Sequence, residues 1–322
     1  MKIWRRGLVF VLAFAVAIAI AFVDRLPTVA QTELTLEAAG LSLEELGEGV
    51  YGLISSTDFP NEDPNIAICN AAIVIGEDGI LVIDPFQNED LANLAFSQAE
   101  ELSDRPLLYV LNTHYHYDHT GGNAAATARD IPIVGRDPIR EYMLERNGEQ
   151  DPNVAPPQVV FNGEVSLWLG DREVKIETVE GHSGGTDLVA YIPDVDVLIA
   201  GDILFHQRFP YAADGNLDKW QESLDRLSEK YATSTILPGH GPVSDRAGLD
   251  TLNNYFDYLE YLAETWEAEG LNQEEAIASA SQMPPAYNDY KFKALYENNL
   301  ATAYQQWVAD EMSESLTDPQ EN

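Results

Sequence analysis

Three of the chain's six histidines fall within six residues, in Leu111-Asn112-Thr113-His114-Tyr115-His116-Tyr117-Asp118-His119-Thr120-Gly121-Gly122-Asn123. Imidazole nitrogens and a carboxylate oxygen suit a borderline divalent ion such as zinc. His114 and His116 share one side of an extended loop, while Asp118 and His119 can point elsewhere. That spacing favours two neighbouring ions over one. More donors follow the same pattern: Asp84, His182, Asp202 and His240 each stand just past an apolar run. A lone His182 or His240 would more often be structural. Together with the cluster they form a coherent set, because strand ends on one sheet edge can converge on a single site.

The elements that must position these residues are legible as apolar runs. Leu107 to Leu111 reads as a buried strand leading into the cluster, and Asn123 to Arg129 as the helix after it. Upstream, Val50 to Ile54 is a strand. Ile66 to Ile75 and Ile80 to Ile83 read as a hairpin around Gly76-Glu77-Asp78-Gly79. Glu89 to Leu102 has a helical apolar face. Downstream, Ile131 to Val134 is a short strand, and Asp137 to Asn147 a helix capped by Asp137. Val159–Phe161, Val165–Leu169 and Val174–Val179 read as a meander, Leu188–Ile192 and Val195–Ala200 as a hairpin ending at Gly201-Asp202. A helix over Leu217–Tyr231 and a strand over Ser234–Leu237 complete the order, which is that of a layered α/β domain. After Pro242 the chain turns helical, over Leu249–Glu269, Asn272–Ser281 and Asp289–Met312, with no linker before it. These helices are therefore expected to pack on the same domain, which spans 31–312, and residues 313–322 read as a disordered tail.

The first thirty residues have the layout of an export signal. Lys2, Arg5 and Arg6 precede an apolar run from Gly7 to Val23, and Thr28-Val29-Ala30 offers small residues for cleavage. An uncleaved anchor is the other reading of 1–30, and only then would the chain meet a membrane. Eighteen basic residues face 54 acidic ones, a net charge of −36. Such a surface repels phosphate backbones, so nucleic acid is not an expected partner. Cys69, the only cysteine, sits among apolar residues and reads as a buried, inert thiol.

These residues resemble the metallo-β-lactamase superfamily over roughly Val50 to Pro242. The stretch 113–123 fits its H-x-H-x-D-H signature, and Asp84, His182, Asp202 and His240 fall in the expected order. The resemblance implies an α/β fold, a four-layer αββα sandwich with the site on one sheet edge, here with extra C-terminal helices over 249–312. It implies that His114, His116 and His182 hold a first metal, and Asp118, His119 and His240 a second. Asp202 would bridge them, and Asp84 would hydrogen-bond the metal loop from behind. True β-lactamases with a cysteine ligand carry Cys where this chain has Asp202, so that subgroup is disfavoured. Gly201 to Pro210, Asp214-Gly215-Asn216 and Trp220 resemble a periplasmic branch associated with sulfur oxidation and quinoprotein systems.

The expectation is a secreted hydrolase with two Zn²⁺, iron or manganese being the other candidate ions. A metal-bridging hydroxide would attack a small ester, thioester, lactone or amide, with Asp118 passing the proton on. His206, Tyr211 and Asn216 are candidate contacts for that small molecule. Glyoxalase II shares the 113–123 signature, but only Lys291 and Lys293 could stand for its C-terminal basic residues. The competing readings are a mononuclear iron persulfide dioxygenase-like enzyme and a non-catalytic metal-binding protein. Neither the substrate nor the oligomeric state is written in the sequence.

Overall fold

Alternate residues of the central strands face opposite ways, and in this chain both ways are apolar. Ile80 and Val82 pack on one side of their strand, Leu81 and Ile83 on the other. A strand buried on both faces needs a layer on each. The computed structural model, which describes residues 34–149 and 151–309, supplies those layers. One sheet has seven strands in sequence order: β1 (Leu41–Gly47), β2 (Val50–Ser55), β3 (Ala71–Ile75), β4 (Ile80–Ile83), β5 (Leu107–Leu111), β6 (Ile133–Arg136) and β7 (Val159–Phe161). The other has five, ordered β12 (Thr235–His240), β11 (Val197–Phe205), β10 (Leu188–Ile192), β9 (Arg172–Thr178) and β8 (Glu164–Leu169).

Three apolar clusters define four layers. Val50, Leu81, Ile83 and Leu111 of the first sheet meet Val174, Ile176, Leu188 and Ile199 of the second. On the outside of the first sheet, Ile73, Ile80 and Val110 meet Leu91 and Phe96 of the helix Glu89–Leu102. On the outside of the second, Val189, Leu198 and Ile236 meet Trp220, Leu224, Phe256 and Leu259. Those residues come from the helices Leu217–Lys230 and Arg246–Glu269. The C-terminal helices thus share the core of the second sheet.

Strand direction places the site. β4, β5 and β6 run parallel, so their C-terminal ends share an edge. β9 and β11 are each antiparallel to β10, hence parallel to one another, and β12 is parallel to β11. Asp84, the cluster, His182 and His240 all lie at such C-terminal ends. Two backbone bonds tie the edges of the two sheets: Leu188 N donates to Thr113 O at 2.9 Å, and Asn70 N to Gly239 O at 2.7 Å. The close approach requires glycine. A Cβ on Gly201, at φ +52, would lie 2.7 Å from Thr113, and one on Gly239 only 1.9 Å from Asp202 Oδ1.

Several expected elements differ. Residues 66–70 are not strand; Asn70 turns inward, accepting from Ser55 N and donating to the Pro238 and Gly241 carbonyls. β7 is not part of a meander, since it pairs in parallel with β6 in the first sheet. β11 continues past Gly201-Asp202 to Phe205, with its register to β12 shifting at Gly201. Asp137 caps nothing: the helical turn Ile139–Tyr142 follows Pro138 and gives way to a π turn over Met143–Asn147. The last helix is shorter than expected, Tyr296–Tyr304 with a π turn to Ala309, because 289–292 are drawn out to pair with other loops. The expected signal or anchor, the tail and residues 310–312 lie outside the described residues.

Candidate metal centre

The cluster opens on Asp84, which leaves β4 with φ +58, a left-handed conformation in which Asp is enriched. This turns its carboxylate under the loop, where it accepts from Thr113 N at 2.8 Å, Thr113 Oγ1 at 2.6 Å and His119 Nδ1 at 2.9 Å. Thr113 has given its only hydroxyl proton to Asp84. It therefore accepts from His114 Nδ1 at 3.0 Å, which leaves His114 Nε2 as a bare lone pair. The same elimination runs round the site. His240 Nδ1 donates to the Ile68 carbonyl at 3.2 Å, and His182 Nδ1 lies 3.4 Å from Asp187 Oδ1. His116 differs: its Nε2 lies 3.1 Å from Asp214 Oδ2, which leaves Nδ1 as the free donor atom. His114, His116, His119 and His240 are each held from behind by an oxygen, the support that ligating histidines ordinarily have, and Asp187 stands behind His182 without a hydrogen bond.

The bare faces converge on Asp202. Its Oδ2 lies 3.6 Å from His114 Nε2, 3.5 Å from His182 Nε2 and 3.3 Å from His240 Nε2, and its Oδ1 3.1 Å from His119 Nε2. Asp118 Oδ2 lies 3.5 Å from His119 Nε2 and 3.3 Å from His240 Nε2. Two donor sets result, sharing Asp202: one of His114, His116 and His182, the other of His119 and His240 with Asp118 beside them. Tyr117–Thr120 forms a single helical turn, and this is what rotates Asp118 and His119 away from His114 and His116.

Whether cations fit is settled by what the site lacks without them. His114 Nε2, His182 Nε2 and Asp202 Oδ1 are buried and have no hydrogen-bond partner. The Nε2 atoms of His119 and His240 face each other across 3.4 Å. Such an arrangement costs free energy unless positive charge lies between the groups. The electrostatics agree. Burial alone would lower the His240 pKa, yet Asp202 and Asp118 draw it up to about 9. Burial would likewise raise Asp118, but His119 and His240 hold it down to about 2. The two carboxylates call for positive charge where these nitrogens meet, and divalent metal ions fit this donor set. Cys69 is buried beside it, its Sγ donating to Asp118 O at 3.0 Å. Burial pushes its thiol up to about 12, in keeping with an inert group.

The site opens on a cavity of about 570 Å³. Five of the seven donors are almost sealed; His116 and Asp118 face the opening, with side chains 13% and 23% exposed. One side of the cavity is polar. There Asp214 accepts from Tyr115 OH and pairs with Arg146 Nη1 at 3.0 Å, while Tyr211 stands with its ring 5.4 Å from His116. The hydrogen bond to His116, followed by those to Tyr115 and the charge of Arg146, holds the Asp214 carboxyl well below its ordinary range against the effect of burial. The other side is apolar, formed by Phe59, Ile68, Phe205, Phe292 and Leu295.

Of the three candidate contacts, only Tyr211 lines the cavity. Asn216 is the N-cap of the helix Leu217–Lys230, its side chain accepting from Lys219 N at 2.9 Å. His206 turns its Nδ1 to the Pro242 carbonyl at 3.1 Å. Lys291 and Lys293 also point elsewhere, donating to the carbonyls of Ser56 and Asn288. Sequence reasoning assigned no role to Asp214, Tyr115, Arg146, Phe59 or Phe292. Tyr115 lies inside the signature and Asp214 in the stretch Asp214-Gly215-Asn216, whereas Arg146, Phe59 and Phe292 are brought in by tertiary packing.

A family profile described as "Metallo-beta-lactamase superfamily" matches residues 65–240. Among curated relatives, a metallo-beta-lactamase type 2 of Pseudomonas aeruginosa is 24% identical over 201 residues, covering 61% of this chain and 76% of that protein. A hydroxyacylglutathione hydrolase of Rhodospirillum rubrum is 29% identical over 162 residues, covering 49% of this chain and 56% of the hydrolase. Of the solved structures, a metallo-beta-lactamase from Pontibacter korlensis superposes with a TM-score of 0.60 at 19% identity, covering 67% of this chain and 99% of that one.

Proposed function

The chain belongs to the metallo-β-lactamase superfamily, and from that premise we propose that it is an extracytoplasmic hydrolase that holds two zinc ions and cleaves a small ester, thioester, lactone or amide. The observation that carries this reading is the pair of donor sets joined at Asp202, with four of the five imidazoles hydrogen-bonded from behind to an oxygen. Relatives named as a β-lactamase and as a hydroxyacylglutathione hydrolase support a small carbonyl substrate. Export rests on the sequence of residues 1–30 alone.

His114, His116 and His182 would hold the first ion, Asp118, His119 and His240 the second, and Asp202 both. When bound, two such ions supply Lewis acidity, lowering the pKa of water toward neutrality and polarising a carbonyl. The remaining work falls to the chain. Asp84 fixes the loop through Thr113 and His119, so that the donors do not reorganise as charge develops. Asp118 is ionised at neutral pH and faces the cavity, so its Oδ2 can take the proton of the attacking water and deliver it to the leaving group.

The test is elemental analysis of the purified protein beside a screen of thioester, lactone, ester and β-lactam substrates. Two zinc ions per chain with turnover of at least one carbonyl substrate is the expected result. One iron per chain, with oxygen consumed in the presence of a persulfide, would replace the hydrolase reading with a dioxygenase. Metal without any turnover would leave a binding protein.

A further inference from the structure

Among the described residues, eight large apolar side chains are exposed, and three of them, Phe59, Tyr117 and Tyr211, rim the one cavity that reaches the metal centre. On a chain of net charge −36, such a concentration of aromatic surface marks a ligand site and not general exposure. We propose that the Phe59 side of this cavity is an apolar subsite, and that the substrate is a carbonyl compound bearing an aliphatic chain or aromatic ring seated there. The proposal rests on the hydrolase reading above for the carbonyl, and on the cavity alone for the apolar group.

The subsite is built and held. Phe292 lies beneath Phe59 with the ring centroids 5.8 Å apart at 62°, an edge-to-face contact. Phe292 also touches His240, with centroids 5.2 Å apart, so the wall starts at the edge of the metal centre. Its position is set by the backbone. Phe292 has φ +61, and its N–H donates to Asp58 Oδ1 at 2.7 Å; Lys291 N donates to Gln207 O, and Lys291 O accepts from Phe209 N. Three separate segments, 56–59, 207–209 and 291–292, are therefore stitched together behind one aromatic face. Phe205 stacks on the same His240 at 4.7 Å and 16°, extending that face inward.

The two sides of the cavity give the substrate a direction. Toward His240, beyond the donors Asp118 and Asp202, the cavity is lined by Phe59, Ile68, Phe205, Phe292 and Leu295. Toward His116 it offers the Arg146–Asp214 pair, Tyr115 and Asn147. A substrate with the carbonyl at the centre would place its apolar group against Phe59 and its polar group by Arg146. Phe59 is 38% exposed in the free protein, area that such a group would cover, whereas Phe292 is already buried and serves as its support.

The experiment uses the full metal-loaded protein and a series of esters with acetyl, butyryl, hexanoyl and octanoyl groups on one leaving group. Calorimetric titration with acetate and with octanoate runs beside it. The expected result is a kcat/KM that rises on the order of 10-fold or more along the series, and octanoate binding tighter than acetate by a similar factor. Phe59→Ala should flatten both slopes and Phe59→Leu should restore most of them. Trp168→Ala, which removes an exposed ring on β8 away from the cavity, should leave them in place. A flat wild-type profile in both measurements would overturn the proposal, as would a Phe59→Ala slope equal to wild type. Octanoate binding that depends on Phe59, with no ester cleaved, would uphold the subsite and overturn the hydrolase reading instead.

Discussion

Asp84 lies buried beneath the 113–119 loop and Phe59 at the rim of the cavity, and the two are held by opposite means. Asp84 is buried, fixed by three hydrogen bonds to residues 113 and 119, and acts only through them. Phe59 is exposed, and its ring is supported by that of Phe292 more than two hundred residues away. The polar edge is assembled from strand ends that parallel pairing brings into line, and each donor has one geometry that satisfies its neighbours. The aromatic side is assembled by loops crossing from three parts of the chain, and its side chains need only fit. Chemistry that depends on tenths of an ångström therefore belongs to the first region, and selection by shape and polarity to the second.

The sharpest way to break that division is inside the signature itself, where the largest effect is expected. His114→Ala removes a donor whose Nε2 has no other role, so the first ion should be lost or weakened in elemental analysis. Asp118→Asn keeps an oxygen near the second ion but cannot take a proton. Turnover should fall by about 10²-fold or more with the first ion retained, and KM should change less than kcat. Full kcat with both ions bound in Asp118→Asn would reduce Asp118 to a structural acid.

Asp214 lies on the border between the two regions, touching His116 on one side and the cavity on the other. If it belongs to the polar edge, Asp214→Asn should weaken binding of the first ion by about 10-fold or more, the usual cost of removing a carboxylate behind a ligating histidine. The second ion, which His116 does not touch, should bind as before. A competition titration with a chelating dye separates the two affinities. Unchanged affinity at both positions, with KM altered, would assign Asp214 to the substrate side instead.

The same division explains what could be read from the sequence. His114, His116, Asp118, His119, His182, Asp202 and His240, which the fold brings together, could be picked out as candidates because each lies at or just past a local apolar run, and parallel strands end on one edge. A layered α/β domain followed from the same runs, and its four-layer form from the family resemblance. The strand β1 went unread, since Leu41–Gly47 alternates only weakly and is largely exposed at the sheet edge. Residues 66–70 misled in the other direction: they are apolar enough for a strand, but Asn70 finds its partners in a turn 168 residues further on. The aromatic wall had no local signal whatever. Phe59 lies in a stretch of Asp, Asn and Pro, and Phe292 just before a short 3₁₀ turn; only the folded backbone puts them together.

Asn216 offers the smallest effect and the cleanest control. It sits two residues from Asp214 in a segment that suggested substrate contact, yet its side chain is engaged in capping the helix Leu217–Lys230 by accepting from Lys219 N. Its backbone N–H is tied as well, donating to Gly181 O at 2.7 Å just ahead of His182. Asn216→Ala would remove the side-chain cap and leave the backbone bond. Loss of such a cap costs about 1 kcal/mol, which in a domain of this size lowers Tm by about 2 °C. Because the carbonyl of Gly181 still has its partner, His182 should stay in place, and metal content, kcat and KM should match wild type. Asn216→Asp, which keeps an accepting oxygen at a helix N-terminus, should recover the stability. A thermal melt and a metal titration of the two variants decide the matter. A Tm that falls as expected with metal affinity unchanged assigns Asn216 to the scaffold, while a drop in metal affinity with Tm unchanged would mean that the cap positions His182 and that the polar edge reaches further from the ligands than their own hydrogen bonds indicate.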